Sequence, residues 1–456
     1  MAGGKYSMTP VDVPPVSTSW RTIQTKLPVP ESVSILEALQ KYEPLSMQGQ
    51  PPVVWDRASG IQIHDAWGNT WLDWSSGVLI TNAGHGHPDM IAAITAVVEK
   101  PLLATYCFPH AGRAQLAQML SERAPAGLDH VFMLSTGSEA TENCIKLAKS
   151  WGSEKFGPHK NVIITFNSTF HGRTMGAQQA GGMPAGKTWI GNLDPTFVQV
   201  PFPDGFKNEN TDFSLFLKTL ADAGVEAKNV AGVMSETYQG VGPDFMPKAY
   251  AQQLRSWCDD SGALLIFDEV QAGFGRTGTY WGFEHYDVVP DLIACGKGIS
   301  GGLPLSAVIG RGDILNLYGP GSMTSTHSAS PVAAACAIAN LEVIDRENLV
   351  RNAAELGIVL NEGLKSIREI APDRMGCAKA HGLVGGIQIV HPEDRRPDPD
   401  TAFKINEACF HKGLLMFAPV GIGGECIKIA PPLSTTREAL DEGLSVLREA
   451  CTEVLG

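Results

Sequence analysis

From about residue 88 the chain alternates between two textures. Short apolar runs, "HVFMLST", "NVIITFN", "VAGVMSE", "ALLIFDE" and "DLIACGK", are separated by stretches with apolar residues at helical spacing, such as "PDMIAAITAVVEK" and "AGRAQLAQMLSERA". Continuous apolar runs alternating with helices predict a mostly parallel sheet covered on both faces, an α/β arrangement. Ahead of this region, "ESVSILEALQKYEPLSM" carries Val33, Leu36 and Leu39 at helical spacing. "VVWDRASGIQIHDAWGNTWLDW" alternates apolar and polar residues around "WGN" and predicts a hairpin or meander. Past residue 330 the pattern predicts two long helices, "PVAAACAIANLEVIDREN" and "AELGIVLNEGLKSIREI". Strands "LVGGIQIV" and "CIKIAPPL" and a closing helix over "TREALDEGLSVLREACTEVL" follow. The expected organisation is an N-terminal arm over 1–30, a segment over 31–80 that joins a small domain, a large domain over 81–330 and a C-terminal small domain over 331–456.

Composition changes this picture little. Hydrophobic residues make up 43% and charged residues 18% of 456, ordinary for a globular enzyme. A formal net charge of −13 argues against nucleic acid or an anionic membrane surface as the main partner. The first residues, rich in Pro, Ser and Thr with no apolar core, read as a flexible arm and not as a signal peptide. No apolar run approaches the ~18 residues of a bilayer span. Nine cysteines are scattered singly without a metal-binding spacing. They predict reduced thiols in the cytoplasm and no metal site.

Ligands of α/β sheets collect at the carboxyl ends of strands, so the residues just after each apolar run carry the candidate chemistry. "FMLSTGSEATENCIKLAK" places Ser135, Thr136, Gly137 and Ser138 between a strand and a helix. Glycine and small hydroxyls there allow backbone N–H groups and the helix N-terminus to cradle a phosphate. "LLIFDEVQ" ends on Asp268 and Glu269, and "CGKGISGG" sets Lys297 on a glycine-flanked turn. Each has a plainer reading alone: a helix cap, a solvated carboxylate, a surface lysine. Together they are the parts a pyridoxal phosphate site requires. The amine forms a Schiff base with the cofactor's aldehyde, and the carboxylate pairs with the ring nitrogen that makes the ring an electron sink. Desolvation would lower the lysine pKa and leave part of it neutral.

The motifs "GHGHP", "STGSEATE", "TFHGRTMGA", "SETYQG", "DEVQAGFGRTG", "PDLIACGKGISGGLPLSAV", "THSASPVAAACA" and "IKIAPPL" follow one another across the chain. In this order and spacing they resemble the class III (subgroup II, or omega) aminotransferases, over roughly residues 30 to 455. That group includes 4-aminobutyrate and ornithine aminotransferases and dialkylglycine decarboxylase. The resemblance implies the fold-type-I architecture of pyridoxal-phosphate enzymes. It also implies transfer of an amino group from an amine or omega-amino acid to a 2-oxo acid. Lys297 resembles the Schiff-base lysine and Asp268 the pyridinium partner. Phe170 resembles the aromatic stacked on the ring, with His171 beside it among the cofactor contacts. Val270 would pack on the other ring face and Gln271 would reach the ring hydroxyl. Gly137 and Ser138 resemble the phosphate cradle. Thr326 resembles a threonine that reaches the phosphate from a neighbouring subunit, which implies a homodimer with shared active sites. Ser76, Gly77, Tyr106, Phe108 and Glu236 lie where the family lines its substrate pocket, while His85 and His87 read as structural.

Two positions depart from the pattern. Related aminotransferases commonly carry arginine before the double proline, where this chain has Lys428; lysine lacks the planar fork that grips a carboxylate bidentately. The proline after the family's glutamate is Thr237 here. Both changes are similar to phospholyase members of the family, which eliminate phosphate or ammonia from amino-alkyl phosphates and phosphonates. The "THSASP" and "GIGGECIKIAPPL" stretches are closer to dialkylglycine decarboxylase than to ornithine aminotransferase. Lyase and decarboxylase outcomes therefore stand as alternatives on the same scaffold.

Overall fold

A computed structural model describes residues 6–456. The chain divides into two compact units, one formed by the residues up to His87 together with Asn348–Gly456, the other by Pro88–Glu347.

The larger unit is built on a seven-stranded sheet. Its strands lie in the order His130–Leu134, Ser306–Gly310, Leu292–Cys295, Leu264–Asp268, Val230–Glu236, Val162–Phe166, Phe197–Val200. The five strands from Leu292–Cys295 to Phe197–Val200 are mutually parallel. Ser306–Gly310 runs antiparallel to both its neighbours, so the expected mostly parallel sheet carries one reversed strand near its edge. Every residue of Val230–Glu236 and Leu264–Asp268 is buried, which is why these strands read as unbroken apolar runs. One face packs on the helix Gly137–Phe156, whose Cys144, Leu147, Ala148 and Trp151 meet Ala231, Ile266, Leu292 and Val308. Burying each Leu or Ile side chain of that layer contributes about 1.5–3 kcal/mol.

The helix Pro331–Arg346 belongs to this unit, not to the C-terminal domain expected to begin at 331. It packs against Pro88–Glu99 and Ala111–Glu122 through a face that buries Ala333, Ala334, Ala337 and Leu341. It also holds the turn that carries Lys297. Asn340 Nδ2 donates to the carbonyls of Gly298 (2.9 Å) and Ile299 (3.2 Å), and Cys336 Sγ lies 3.1 Å from the Ser300 carbonyl. These ties are long-range in sequence, so helical periodicity alone does not assign the helix to either unit.

In the smaller unit, Arg57–Ser59, Gln62–His64 and Thr70–Asp73 form the expected meander, with Gly68 in the left-handed region at its tip. A second sheet pairs Met375–His381, Val384–Ile389 and Cys426–Ile429, flanked by helices Leu349–Arg368, Pro399–His411 and Arg437–Leu455. The flexible arm expected over 1–30 is corrected for residues 6–30; residues 1–5 lie outside the described residues. Val16–Ser17 pairs with Thr22–Ile23, and Thr22 with Thr70. Ile23, Leu27 and Val29 are buried with Trp71 and Phe410. Three apolar residues among prolines and polar residues show no periodicity, yet they cover an aromatic surface supplied from elsewhere in the chain. Among the described residues no helix is long and apolar enough to cross a membrane.

Candidate active site

The sheet's register brings the chemistry together. Asp268 and Glu236 occupy equivalent positions on adjacent parallel strands, and Asp268 is also paired with Ala294, three residues before Lys297. Three strands thus end at one level, with two carboxylates and, just beyond Cys295, an amine. Lys297 adopts a left-handed backbone (φ 45°), a strained choice for a side-chain-bearing residue of order 1–3 kcal/mol, retained where the surroundings dictate it. Its Nζ makes no hydrogen bond to any described residue. Burial lowers the Lys297 pKa below the ordinary lysine value, opposed by the negative charges of Asp268 and then Glu236.

Across the cavity the helix Gly137–Phe156 begins with a complete capping box. Thr136 Oγ1 accepts from the Glu139 amide (3.2 Å), and Glu139 Oε2 accepts from the amides of Ser135 and Thr136 (2.9 and 2.8 Å). The amides of Gly137 and Ser138 then have no acceptor among the described residues. Two free N–H groups at the positive end of a 20-residue helix form an anion seat. The seat depends on glycine. A Cβ on Gly137 would come within 2.8 Å of Val270 Cγ1, and Gly172 (φ +133°) approaches Ser138 so closely that a Cβ would meet its Oγ at 2.3 Å.

Asp268 is buried and held from two sides. The Val270 amide donates to Oδ1 (3.0 Å), and His171 Nδ1 lies 2.8 Å from Oδ2. Glu236 accepts at Oε1 from the Gly240 amide (2.9 Å) and at Oε2 from the Phe170 amide and the Thr169 hydroxyl (both 2.8 Å). Burial raises the Glu236 pKa above the usual carboxyl value; His171 opposes this and Asp268 adds to it. Phe170 is half-buried at the rim, and the Arg173 guanidinium lies 5.4 Å from its ring centroid.

Nine of the residues singled out from sequence line this one cavity, of about 170 Å³: Gly137, Ser138, Phe170, His171, Glu236, Asp268, Val270, Gln271 and Lys297. Thr136 and Gly172 line it as well. Thr326, Tyr106 and Phe108 are exposed and outside the lining, with Tyr106 Oη 3.1 Å from Thr324 Oγ1. Ser76, Gly77 and Lys428 belong to the smaller unit. There Ser76–Leu79 is a run of left-handed residues closed by a hydrogen bond from Ser76 Oγ to the Ala430 carbonyl (2.6 Å). Lys428 is buried in its strand, 1% exposed, so it is not a solvated surface lysine. His85 bonds Asp73 at 2.7 Å within that same unit. Sequence reading passed over Thr169, a residue one position before the motif aromatic whose role depends on a glutamate 67 residues away.

An α/β sheet with a carboxylate, an amine and an anion seat at its strand ends defines an enzyme of the pyridoxal-phosphate type, fold type I. The aminotransferase class-III family model matches residues 45–451. Acetylornithine aminotransferase of a Nostoc species is 31% identical over 415 residues, 90% of this chain and 92% of that one. 4-Aminobutyrate aminotransferase of Mycobacterium leprae is 31% identical across 94% of this chain and 97% of its own. A thermostable (S)-enantioselective omega-transaminase from Thermomicrobium roseum superposes with a TM-score of 0.83 at 28% identity, covering 92% and 99% of the two chains. The chain belongs to the class-III aminotransferase family. It is a pyridoxal-phosphate-dependent aminotransferase acting on small-molecule amines and oxo acids. The glycine-shaped anion seat, the free amine and the buried carboxylate fit that cofactor.

Proposed function

We propose that this aminotransferase takes the amino group of an omega-amino acid or related amine and delivers it to a 2-oxo acid, with Lys297 as the amine that engages the cofactor's aldehyde. The observation that carries the assignment is Lys297 Nζ, free of hydrogen bonds in a cavity that also holds Asp268 and the anion seat. Pyridoxal phosphate, when bound, supplies an electron-withdrawing ring that stabilises negative charge at the substrate carbon.

The rest of the work falls to this chain's residues. Asp268, its carboxylate held in place by His171, would pair with the ring nitrogen and favour its protonated form. The Gly137 and Ser138 amides would hold the phosphate, Phe170 and Val270 would confine the ring, and Gln271 would meet its hydroxyl. Lys297 Nζ, kept partly neutral by burial, takes a proton from the substrate and returns it. Glu236, which lines the cavity, shapes the donor site.

The working unit is a homodimer in the cytoplasm, in which Thr326 of the partner subunit completes the phosphate site. Its support is an apolar surface with no cover in one chain. The helix Val33–Tyr42 buries none of its residues, and Tyr42, Leu45 and Met47 along this segment are all exposed. Nine free cysteines fit a reducing compartment.

The deciding experiment mixes cofactor-loaded enzyme with one amine at a time in the absence of any oxo acid. Loss of the visible band in one stoichiometric turnover, leaving pyridoxamine phosphate, identifies the donor class. A band that persists while ammonia accumulates over many turnovers overturns the transfer reading for that amine. Elimination from an amino-alkyl phosphate or phosphonate is the second reading, favoured by the buried ammonium of Lys428 where a carboxylate-binding arginine is usual.

A further inference from the structure

Asp268 and Glu236 are joined by more than the sheet. A file of buried side chains runs between them behind the cavity. His171 Nδ1 is 2.8 Å from Asp268 Oδ2, His171 Nε2 is 3.1 Å from Thr169 Oγ1, and Thr169 Oγ1 is 2.8 Å from Glu236 Oε2.

Three contacts require three hydrogens. The threonine hydroxyl has one, a neutral imidazole has one, and two ionised carboxylates have none. A contact without a hydrogen would set two buried acceptors against each other, which is costly. The file therefore holds one proton beyond neutral histidine and two carboxylates. On the imidazole, that proton leaves both acids ionised and Thr169 donating to Glu236. On Glu236, it reverses the hydroxyl: Glu236 donates to Thr169, Thr169 donates to Nε2, and Nδ1–H donates to Asp268. Asp268 is set aside as its site because that carboxylate faces the cofactor's ring nitrogen, whereas burial makes Glu236 hold a proton more tightly than an ordinary carboxyl.

The two remaining arrangements interconvert without moving a heavy atom. The Nε2–H bond of the imidazolium breaks as Thr169 Oγ1 takes that proton, and the hydroxyl's own proton forms an O–H bond to Glu236 Oε2. We infer that Thr169 is a positioning residue that relays one proton between His171 and Glu236. The charge beside the donor amine and the charge behind the ring-nitrogen partner are thereby set together. A cationic amine entering beside Glu236 favours its ionised form and sends the proton to His171. Departure of that amine returns it. The elevated affinity of Glu236 for a proton, caused first by burial, suits the exchange. The other titratable or charged groups facing the file are Lys297 across the cavity, Tyr238, Glu269 and Arg276 beyond Glu236, and Cys144 near Asp268. The proton count is a property of the protein alone, whereas its catalytic consequence rests on the cofactor reading above.

The test is nitrogen-15 NMR of the full chain labelled in its histidine rings, with and without pyridoxal phosphate, the His171 signals being assigned by their loss in His171→Asn. In the wild type, at one fixed pH, the His171 ring nitrogens show shifts averaged between imidazolium and the Nδ1–H neutral form. In Glu236→Gln, which removes the acid that shares the proton and turns an amide N–H toward the Gly240 or Phe170 amide, those shifts move to a single form. Thr169→Val changes the proportion of the two forms tenfold or more. Thr169→Ser restores it. If Thr169→Val does not fold, Glu236→Gln and Thr169→Ser still decide. His171 shifts unchanged in Glu236→Gln overturn the relay, as do shifts in Thr169→Ser that depart from wild type as far as those of Thr169→Val do. Absence of a visible band with added cofactor in every form would instead sink the cofactor reading, while the His171 shifts would still decide the relay.

Discussion

Asp268 and Glu269 are neighbours in the chain and both buried, but they serve two different regions. Successive side chains at a strand's end point to opposite faces. Asp268 opens onto the cavity, held by His171 and the Val270 amide. Glu269 is enclosed on the far side, where it accepts from the Thr237 hydroxyl and from the amides of Gly282 (2.8 Å) and Phe283 (3.0 Å). Those amides begin the short helix Gly282–Tyr286, whose Phe283 ring stacks on Phe267 of the strand. Burial raises the Glu269 pKa to about 7, with hydrogen bonds from Thr237 and the two amides opposing the rise. A buried carboxylate with a raised pKa is therefore no mark of catalysis by itself. What separates the two is where the donors come from: Glu269 is used up by the fold, while Asp268 still faces a space shaped for a ligand.

Substitutions on the two sides should divide cleanly between activity and stability. The largest effect belongs to Lys297→Ala, which should abolish turnover, at least the ~10²–10⁴-fold of a lost acid–base group, while the folded fraction by circular dichroism stays near wild type. Turnover close to wild type would remove the central assignment. Asp268→Asn should lower kcat by about 10²–10³-fold and weaken cofactor retention on dialysis, as expected for one lost electrostatic partner.

Across the strand the readout changes to stability. Glu269→Gln places an amide N–H against backbone donors and should cost about 1–3 kcal/mol by denaturant unfolding. Activity per folded molecule should change little, and a kcat loss as large as that of Asp268→Asn would erase the contrast.

The pH dependence sharpens it further. Glu269 binds its proton more tightly folded, near 7, than unfolded, near 4.5, so the native state holds the extra proton between those values. The stability contributed by that proton is complete below the ordinary carboxyl value and is lost as pH rises through about 7. Over that window it amounts to about 3 kcal/mol. Tm should fall from pH 5 to pH 7 in the wild type and fall less steeply in Glu269→Gln. The smallest effect is expected of Thr237→Val, which deletes one hydrogen bond to Glu269 and should cost about 1 kcal/mol with kcat within twofold.

Much of this was legible locally. The apolar runs that became Val230–Glu236 and Leu264–Asp268 were readable because both faces of those strands are buried, and the carboxylates and lysine stand where each run stops. The N-cap at Thr136 was legible for the same reason: a cap is decided by residues within one turn. Other features were not. Residues 6–30 gave no period because their partners, Trp71 and Phe410, lie far along the chain. Helix Pro331–Arg346 showed its helicity but not its unit, since that depends on Asn340 reaching the turn at Gly298. Thr169 opened the motif "TFHGRTMGA" with nothing in its neighbourhood to mark its distant partner.

The sequence by itself determined the family, the cofactor class and the strand ends that bear the chemistry, because alternation, caps and motif spacing are properties of neighbouring residues. Only the tertiary structure decided which buried acid faces the cavity and which fastens the fold. It alone joined His171, Thr169 and Glu236 into one file. Those choices depend on strand register and on hydrogen bonds between segments 67 and 97 residues apart, distances over which local pattern carries no information.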